Sequence, residues 1–164
     1  IAKTDAEARD KDAYMQSLIH PDVGKAFSEH ILEADLSKFG IDDKLPVLPD
    51  TPQISGQSRS IRERAYGNGW TIRDVYLNFA GSRGKLTMIG SFKSVADQMQ
   101  HWFEHGACDG FIFQPPHLPG GLDEIAQLLI PELQDRGLAP VEYQGNSLRD
   151  HMGLARPNSR WAEK

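Results

Sequence analysis

Two polar side chains, Gln114 and His117, stand in a turn that follows the apolar run at residues 107–113. An amide and an imidazole at such a place can orient a ligand or relay a proton. If the run is a buried parallel strand, its carboxyl end faces the active site of a (β/α) barrel. The two prolines between them, Pro115 and Pro116, are equally typical of a stiff surface turn. The sequence therefore predicts either two pocket residues or a rigid connector.

A second pattern, H-x-x-E-H at residues 101–105, has the spacing of an inverted zinc-protease motif. His101 and His105 are four residues apart, so they share one face of a helix, as zinc ligands require. His105 also directly precedes a helix-ending glycine, where an imidazole is favourable to the helix dipole without metal. Since no third ligand is identifiable, we predict no zinc site. Cys108, inside the apolar run, is predicted to be an inert core residue rather than a nucleophile.

Gly90 and Ser91 stand at the start of a predicted helix, where free backbone N–H groups can bind the phosphate of a cofactor. The alternative is an ordinary serine N-cap, and the lack of a second nearby glycine favours it. His30 lies in an irregular part of the chain and reaches a pocket if that part folds over one. Alternatively, His30 is a surface histidine in contact with solvent.

The composition limits the class of protein. The chain has 164 residues, of which 39% are hydrophobic and 25% charged, and its net charge is -5. The acidic balance argues against a nucleic-acid binder, and no apolar run approaches the ~20 residues that span a membrane. A single cysteine excludes an internal disulfide and favours a cytoplasmic protein. Because the sequence opens on Ile1 rather than methionine, we expect a segment of a longer protein.

The first part of the chain begins with a predicted helix, and the residues after it show little hydrophobic periodicity. Thr4 and Glu7 predict a capping box for a helix that runs to about His20, before a proline. Residues 21–66 are predicted to be a covering segment, because long stretches with little pattern usually cover a site or move. Within it we predict a short helix at 23–32, loops at 42–52 and 55–60, and a helical turn at 61–66.

Two capped helices are predicted in the middle of the chain. Thr71 begins the first, which ends at Gly81 and turns inward Val75, Tyr76 and Phe79. Ser91 begins the second, and Gly106 ends it as a C-terminal cap. The apolar positions of this second helix are Val95, Ala96, Met99, Trp102 and Phe103.

Two strands and a long helix complete the prediction. Residues 86–89 are a strand candidate, and residues 107–113 suit a buried parallel strand. The helix at residues 122–136 contains Pro131, which should kink or restart it. Strands alternating with helices indicate an α/β protein.

Four motifs in the last third of the chain resemble one enzyme family. They are G-A-x-D-G-F at residues 106–111, P-P-x-L-P-G-G-L at 115–122, P-E-L-Q-x-R-G-L at 131–138 and E-Y-x-G-x-x-L-R-x-H-x-G-L-x-R-P at 142–157. K-T-D-A-E-A at residues 3–8 resembles the family's G-x-T-x-x-E-A segment. The family is that of the flavin-dependent monooxygenases related to nitrilotriacetate monooxygenase, within the bacterial-luciferase-like group.

The resemblance implies the C-terminal part of a single luciferase-like (β/α)8 barrel domain, helix-rich and incomplete in this chain. It implies a helix at residues 1–20, a covering insertion at 21–66, helices around the last barrel strand at 71–138 and a tail at 139–164. It also implies FMN, reduced by a separate flavin reductase, together with O2 and a small organic substrate. The main flavin-phosphate residues of the family would lie upstream.

Two departures from the family pattern lie near the expected pocket. Phe92 stands where the family usually has proline, and Ile112 follows Phe111 where the family usually has F-N. Because of these two departures, the identity of the substrate stays open. Two other functions also stay open: a luciferase-like oxidoreductase that uses a deazaflavin, and a non-catalytic α/β interaction fragment. Because one strand cannot close a barrel, the chain should expose apolar surface and form a homo-oligomer.

Overall fold

A computed structural model describes residues 1–80, 82, 85–159 and 161 of the chain. Regular structure in these ranges is helical. The helices are α1 (Asp5–Ser17), α2 (Pro21–Leu32), α3 (Gly56–Asn68), α4 (Ile72–Ala80), α5 (Phe92–Glu104), α6 (Gly120–Glu124), α7 (Ile130–Asp135) and α8 (Leu148–His151). A π-helical turn, Ile125–Leu129, joins α6 to α7. None of the described helices has the length and apolar character that crossing a membrane requires.

No β-strand forms in the described ranges, where β-type pairing consists of two isolated bridges. Ala2 pairs with Ser91 in parallel, and Lys44 pairs with Thr71 in antiparallel fashion. The strands predicted at residues 86–89 and 107–113 are therefore wrong for this structure, and the α/β pattern does not form in the described residues. A strand needs a neighbour for its N–H and C=O groups. The described part of the chain supplies no backbone hydrogen bond to residues 108–118.

One hydrophobic core lies among α2, α3, α4 and the loop between α2 and α3. Its buried members are Leu32, Leu36, Leu45, Ile61, Ala65, Ile72, Val75 and Phe79. The inward positions predicted for α4 are confirmed, but their partners are not those expected. We expected α4 among helices around a barrel strand, whereas it packs with α2 and α3. Residues 21–80 therefore form one helical unit, which includes α4. The predicted helix end at Gly81 lies outside the described residues.

The loop predicted at residues 55–60 is wrong, because helix α3 begins at Gly56. Ser55 is its N-cap, and the Ser55 hydroxyl accepts the backbone N–H of Ser58 at 3.1 Å. The buried face of α3 carries polar residues, since Ser58 and Arg62 are buried beside Ile61. Ser58 is buried because its hydroxyl donates to Leu32 O at 2.8 Å. A helix with such a face lacks the apolar periodicity by which helices are recognised.

The loop before α3 is anchored on the start of α4. The backbone N–H of Ile72 donates to Asp43 O at 3.0 Å, and that of Arg73 donates to Ile41 O at 2.8 Å. The first N–H groups of a helix have no partner within it, so the loop satisfies them. Arg73 also binds Asp42 with two hydrogen bonds, of 2.6 Å and 3.1 Å. The loop predicted at residues 42–52 is confirmed, and its first half is held in place.

A second core lies between α5 and α7. It buries Val95, Ala96, Met99, Leu129 and Leu133, and it is covered by Ile1, Met88, Phe111, Leu138 and Ala139. The restart predicted at Pro131 is confirmed. Proline has no N–H to donate four residues back, and Ile130 just before it donates to Ile125 O five residues back. The helix therefore passes the proline through a π turn.

Helix α5 forms as predicted, except at its last turn. Ser91 caps it, and Gly106 follows its end with φ 68°, a conformation that favours glycine. Trp102 and Phe103 were expected on the core face, but they are 39% and 49% exposed. The reason is that the second core stops at Met99, so no apolar cluster covers the final turn of α5.

The capping box predicted for the first helix is confirmed. The Thr4 hydroxyl accepts the Glu7 N–H at 3.2 Å, and the Glu7 carboxylate accepts the Thr4 N–H at 3.2 Å. α1 ends at Ser17, earlier than predicted, because Pro21 opens α2 with His20 as its N-cap. In the described part of the tail, α8 is the sole helix, and residues 160 and 162–164 lie outside the described ranges.

Candidate functional site

Gln114 and His117 lie in an exposed turn between α5 and α6. The His117 ring stands against the start of α6, and a Cβ atom at Gly120 would lie 3.0 Å from its Nε2. A side chain at Gly120 would therefore displace the ring. No hydrogen bond joins Gln114 to His117 within the described residues, and both polar groups face solvent.

The residues before this turn differ in their exposure to solvent. Phe111 packs against the core of α5 and α7, whereas Ile112 is exposed. Cys108, predicted to be a core residue, is only half-buried because the strand expected around it does not form. The segment therefore contacts the helices through Phe111 and exposes Ile112 to solvent.

Gly90 and Ser91 lie at the start of α5, as predicted, but an acidic side chain already faces them. The backbone N–H of Ser91 donates to the Asp5 carboxylate at 2.6 Å, and the Ser91 hydroxyl accepts the N–H of Ser94 at 3.2 Å. A Cβ atom at Gly90 would lie 3.1 Å from the same carboxylate. In this structure the Asp5 carboxylate occupies the position in which a phosphate oxygen would bind.

The hydrogen bonds to Asp5 lower the pKa of its carboxyl group. The N–H of Ser91 is the largest cause that lowers the pKa of Asp5 below its ordinary value, followed by the hydroxyls of Ser94 and Ser91. Each of these groups favours the ionised carboxylate. Asp5 is therefore a stable anion in front of α5, and a second anion there would be repelled.

His30 lies elsewhere in the molecule. It is exposed near the end of α2, in the helical unit formed by residues 21–80. No hydrogen bond or ion pair within the described residues connects His30 to Ser91, Gln114 or His117. The structure thus brings together Gly90 and Ser91, places Gln114 and His117 in one turn, and leaves His30 apart from both.

A groove of about 410 Å³ lies between α1 and the helices that follow residue 119. Lys3, Glu7 and Lys11 line one side, and Asp123, Glu124 and Gln127 line the other. Lys11 forms an ion pair with Glu124 across it. Sequence reasoning missed this groove, although Glu7 and Lys11 are four residues apart and therefore share one face of α1. The other candidate residues do not line it.

The two histidines of the H-x-x-E-H pattern are exposed, and their ring centroids lie 4.1 Å apart. The His105 Nδ1 lies 2.8 Å from His101 O, so one ring nitrogen already has a backbone partner. In residues 1–80, 82, 85–159 and 161, no three His, Cys, Asp or Glu side chains converge as a metal site would need. The absence of zinc remains a prediction.

The chain resembles known monooxygenases along almost its whole length. No profile of a protein family matches it. It is 39% identical to nitrilotriacetate monooxygenase component A of Aminobacter aminovorans over 99% of this chain and 36% of that protein. It is 39% identical to N-acetyl-S-(2-succino)cysteine monooxygenase of Bacillus subtilis over 99% of this chain and 38% of that protein.

The structural match agrees. The crystal structure of DmoA from Hyphomicrobium sulfonivorans superposes with a TM-score of 0.69 and 26% identity, over 90% of this chain and 31% of that one. The fold and the sequence together define a segment of a luciferase-like monooxygenase. The chain belongs to the family of nitrilotriacetate monooxygenase and its related monooxygenases. It spans about a third of the length of the relatives that it matches.

Proposed function

We propose that the chain is part of an FMN-dependent monooxygenase that oxidises a small organic substrate with O2. The observation that carries this proposal is the 39% identity across 99% of the chain to two monooxygenases. One of them is named component A, which supports a second protein component in this system as well. We assign to that component the role of a flavin reductase that supplies reduced FMN.

Reduced FMN would supply two electrons, so that one oxygen atom of O2 enters the substrate and the other leaves as water. The residues present fit the ring part of FMN better than its phosphate. The exposed face of residues 107–118 offers an apolar surface with the amide of Gln114 and the imidazole of His117 at its end. The start of α5 already carries the Asp5 carboxylate, so the phosphate is proposed to bind elsewhere in the protein.

Gln114 and His117 are proposed to line the flavin or substrate pocket. Pro115 and Pro116 limit the conformations of the backbone between them, and this lowers the entropy lost when the turn is ordered by a ligand. An amide orients a ligand by hydrogen bonds, and an imidazole also transfers protons near neutral pH. His30 could join them if the helical unit covers the pocket in the complete protein.

The complete protein is proposed to be a luciferase-like (β/α)8 barrel to which this chain contributes the C-terminal third. The parallel bridge between Ala2 and Ser91 supports this proposal, because neighbouring barrel strands run parallel. A homo-oligomer and a cytoplasmic location are part of the same proposal. The substrate is a small organic molecule whose identity the relatives leave open, since their names indicate several different substrates.

The test is reconstitution of the full-length protein with FMN, NADH, a flavin reductase and nitrilotriacetate as the first probe. We expect oxygen consumption coupled to product, and none when the reductase is replaced by oxidised FMN alone. Binding of a deazaflavin in place of FMN would instead support the alternative oxidoreductase. If the full-length protein binds neither cofactor, the interaction fragment becomes the better interpretation.

The chain of 164 residues alone should bind FMN poorly and show no turnover, because it supplies one part of the pocket. Flavin fluorescence during titration of the isolated chain measures this directly. Micromolar binding of FMN by the isolated chain would contradict the prediction.

A further inference from the structure

A cavity of about 260 Å³ lies where the last turns of α3 and α4 meet the segment that follows α4. Arg64, Asn78 and Phe79 line it from the two helices, and Lys85 and Thr87 line it from the segment. Its charged lining residues are both cations, and no acidic side chain joins them among the residues that the structure describes. The chain as a whole has a net charge of -5, so a purely positive cavity runs against its average composition.

The guanidinium group of Arg64 is held at the wall of this cavity by an aromatic ring. Its central carbon lies 5.5 Å from the centroid of the Phe79 ring, a cation–π contact. Phe79 itself is fixed, because it is buried in the core of α2, α3 and α4 and its ring contacts that of Trp70 at 6.2 Å. A cation–π contact leaves N–H groups of the guanidinium able to donate to a further partner.

The donors of the cavity are not used by the protein. Within the described ranges, the guanidinium of Arg64, the ammonium of Lys85 and the hydroxyl of Thr87 make no hydrogen bond, and neither cation forms an ion pair. Arg59, one turn earlier on α3, is paired with Asp50 at 3.2 Å. Two cations and a hydroxyl thus converge on one cavity without an acceptor of their own.

We propose that this cavity binds an oxyanion, the carboxylate or phosphate group of a small organic ligand. A guanidinium donates two parallel N–H bonds to the oxygen atoms of such a group, and an ammonium adds a point charge. The walls exclude part of the surrounding water, so the attraction is less screened than at an open surface. The volume suits a small ligand or the charged end of a larger one.

Two sources of this oxyanion are chemically equivalent at the cavity. One is a substrate that is an organic acid. The other is the phosphate of FMN, for which the start of α5 is blocked by the Asp5 carboxylate. The cavity is distinct from the turn of Gln114 and His117, since neither residue lines it. The oxyanion site therefore goes beyond the pocket proposed above.

Calorimetric titration of the full-length protein with citrate and with inorganic phosphate tests the proposal. We expect saturable binding of at least one probe, weakened by added salt. Arg64→Met should weaken it by about tenfold or more, because a hydrogen-bonded charge is lost. Arg64→Lys keeps the charge but not the two parallel bonds, so its loss should be smaller.

The matched control is Arg59→Met. It removes an equal charge from the same helix but lies outside the cavity, so the affinity for the probe should not change. Arg64 and Arg59 are both exposed, and thermal midpoints show whether the variants are folded. If neither citrate nor phosphate binds, or if Arg64→Met binds the probe as tightly as the unmodified protein, the proposal is overturned. Equal losses in Arg64→Met and Arg59→Met overturn it as well, because the effect would then be one of overall charge.

A comparison of FMN with riboflavin, which lacks the phosphate, identifies the source of the oxyanion. If the phosphate of FMN occupies the cavity, Arg64→Met weakens the binding of FMN and leaves that of riboflavin unchanged. If an organic acid is the ligand, Arg64→Met changes neither, and citrate also binds the FMN-saturated protein. Citrate or phosphate binding that depends on Arg64, in a protein that does not bind FMN, overturns the function proposed above and supports the oxyanion site.

Discussion

The carboxylate of Asp5 accepts the backbone N–H of Ser91 at 2.6 Å, across 86 residues of sequence. Beside this bond the Ala2 N–H donates to Gly90 O at 3.3 Å, and the Phe92 N–H donates to Ala2 O at 3.0 Å. Asp5 also lies in the first turn of α1. One carboxylate therefore faces the positive ends of two helices and connects the start of α1 to the start of α5.

Replacing Asp5 with Asn should lower the stability of the chain at neutral pH and remove part of its acid sensitivity. The Ser91 N–H lowers the pKa of Asp5, so the native carboxyl stays ionised at a pH where the unfolded one is protonated. Its contribution is complete above the unfolded pKa of about 3.9. It is lost as the pH falls below that value through the lower folded pKa. Thermal midpoints between about pH 3 and 6 measure the effect.

The control for this prediction is Asp10→Asn. Asp10 is exposed on the same helix and accepts no hydrogen bond within the described residues, so the substitution removes an equal charge without the contact. Asp10→Asn should keep the pH dependence of the unmodified chain. An Asp5→Asn variant as stable as the unmodified chain at pH 6 would show that the contact contributes nothing.

Arg62 is a buried cation whose partners are carbonyl oxygens. It donates through Nε to Leu32 O at 3.2 Å and through Nη1 to Pro49 O at 2.8 Å, and its Nη2 also contacts Leu32 O. Arg62→Met removes the donor to Pro49 O and leaves buried Leu32 O with the Ser58 hydroxyl as its remaining side-chain donor, which should lower the free energy of unfolding by about 1–3 kcal/mol. Arg59→Met, on the same helix, removes an exposed pair with Asp50 and should cost less than about 0.5 kcal/mol. Urea unfolding of both variants measures the difference.

Gly24 on α2 lies directly against the ring of Tyr76 on α4. A Cβ atom there would lie 2.7 Å from the ring of Tyr76, which is fully buried. Gly24→Ala should therefore destabilise the helical unit by about 1–3 kcal/mol despite the better helix propensity of alanine. Gly67→Ala in α3 meets no atom within 4 Å and should stabilise the chain by up to about 1 kcal/mol. Opposite signs for the two substitutions in urea unfolding are the expected result, and equal signs would contradict it.

The sequence predicted the elements whose stabilising residues are local. The Thr4 box, the Ser91 cap and the restart at Pro131 each depend on residues within one or two turns. The first half of helix α3 was predicted as a loop because it is polar, and the burial of Ser58 there depends on a distant partner, Leu32.

The predicted strand at residues 107–113 failed for a different reason. Apolar composition is typical of a buried strand, but pairing requires a neighbour that the described part of the chain lacks. The candidate site was also predictable only where local residues determine it. The turn that carries Gln114 and His117 was found from local pattern, whereas the contact of Asp5 with Ser91 joins residues too distant for any local signal.

Zinc should be absent at stoichiometric level after washing with a chelator. His101 and His105 are close, yet the described residues offer no third ligand, and a structural zinc site needs four. Metal analysis of the washed protein measures the content directly. A His101→Ala variant should keep the thermal midpoint in the presence and absence of added zinc. One zinc per chain, lost in His101→Ala, would overturn the prediction.

Gln114 and His117 are expected to affect catalysis in the full-length protein. Both side chains are exposed in the turn after residues 107–113, and neither is hydrogen-bonded within the described residues. His117→Ala should lower turnover while changing stability by no more than about 0.5 kcal/mol, as is usual for surface turns. Kinetic constants and thermal midpoints of His117→Ala and Gln114→Ala test this, with exposed Gln98→Ala on α5 as the control. Unchanged kinetics in both variants would mean that the turn is a rigid connector and that other loops form the pocket.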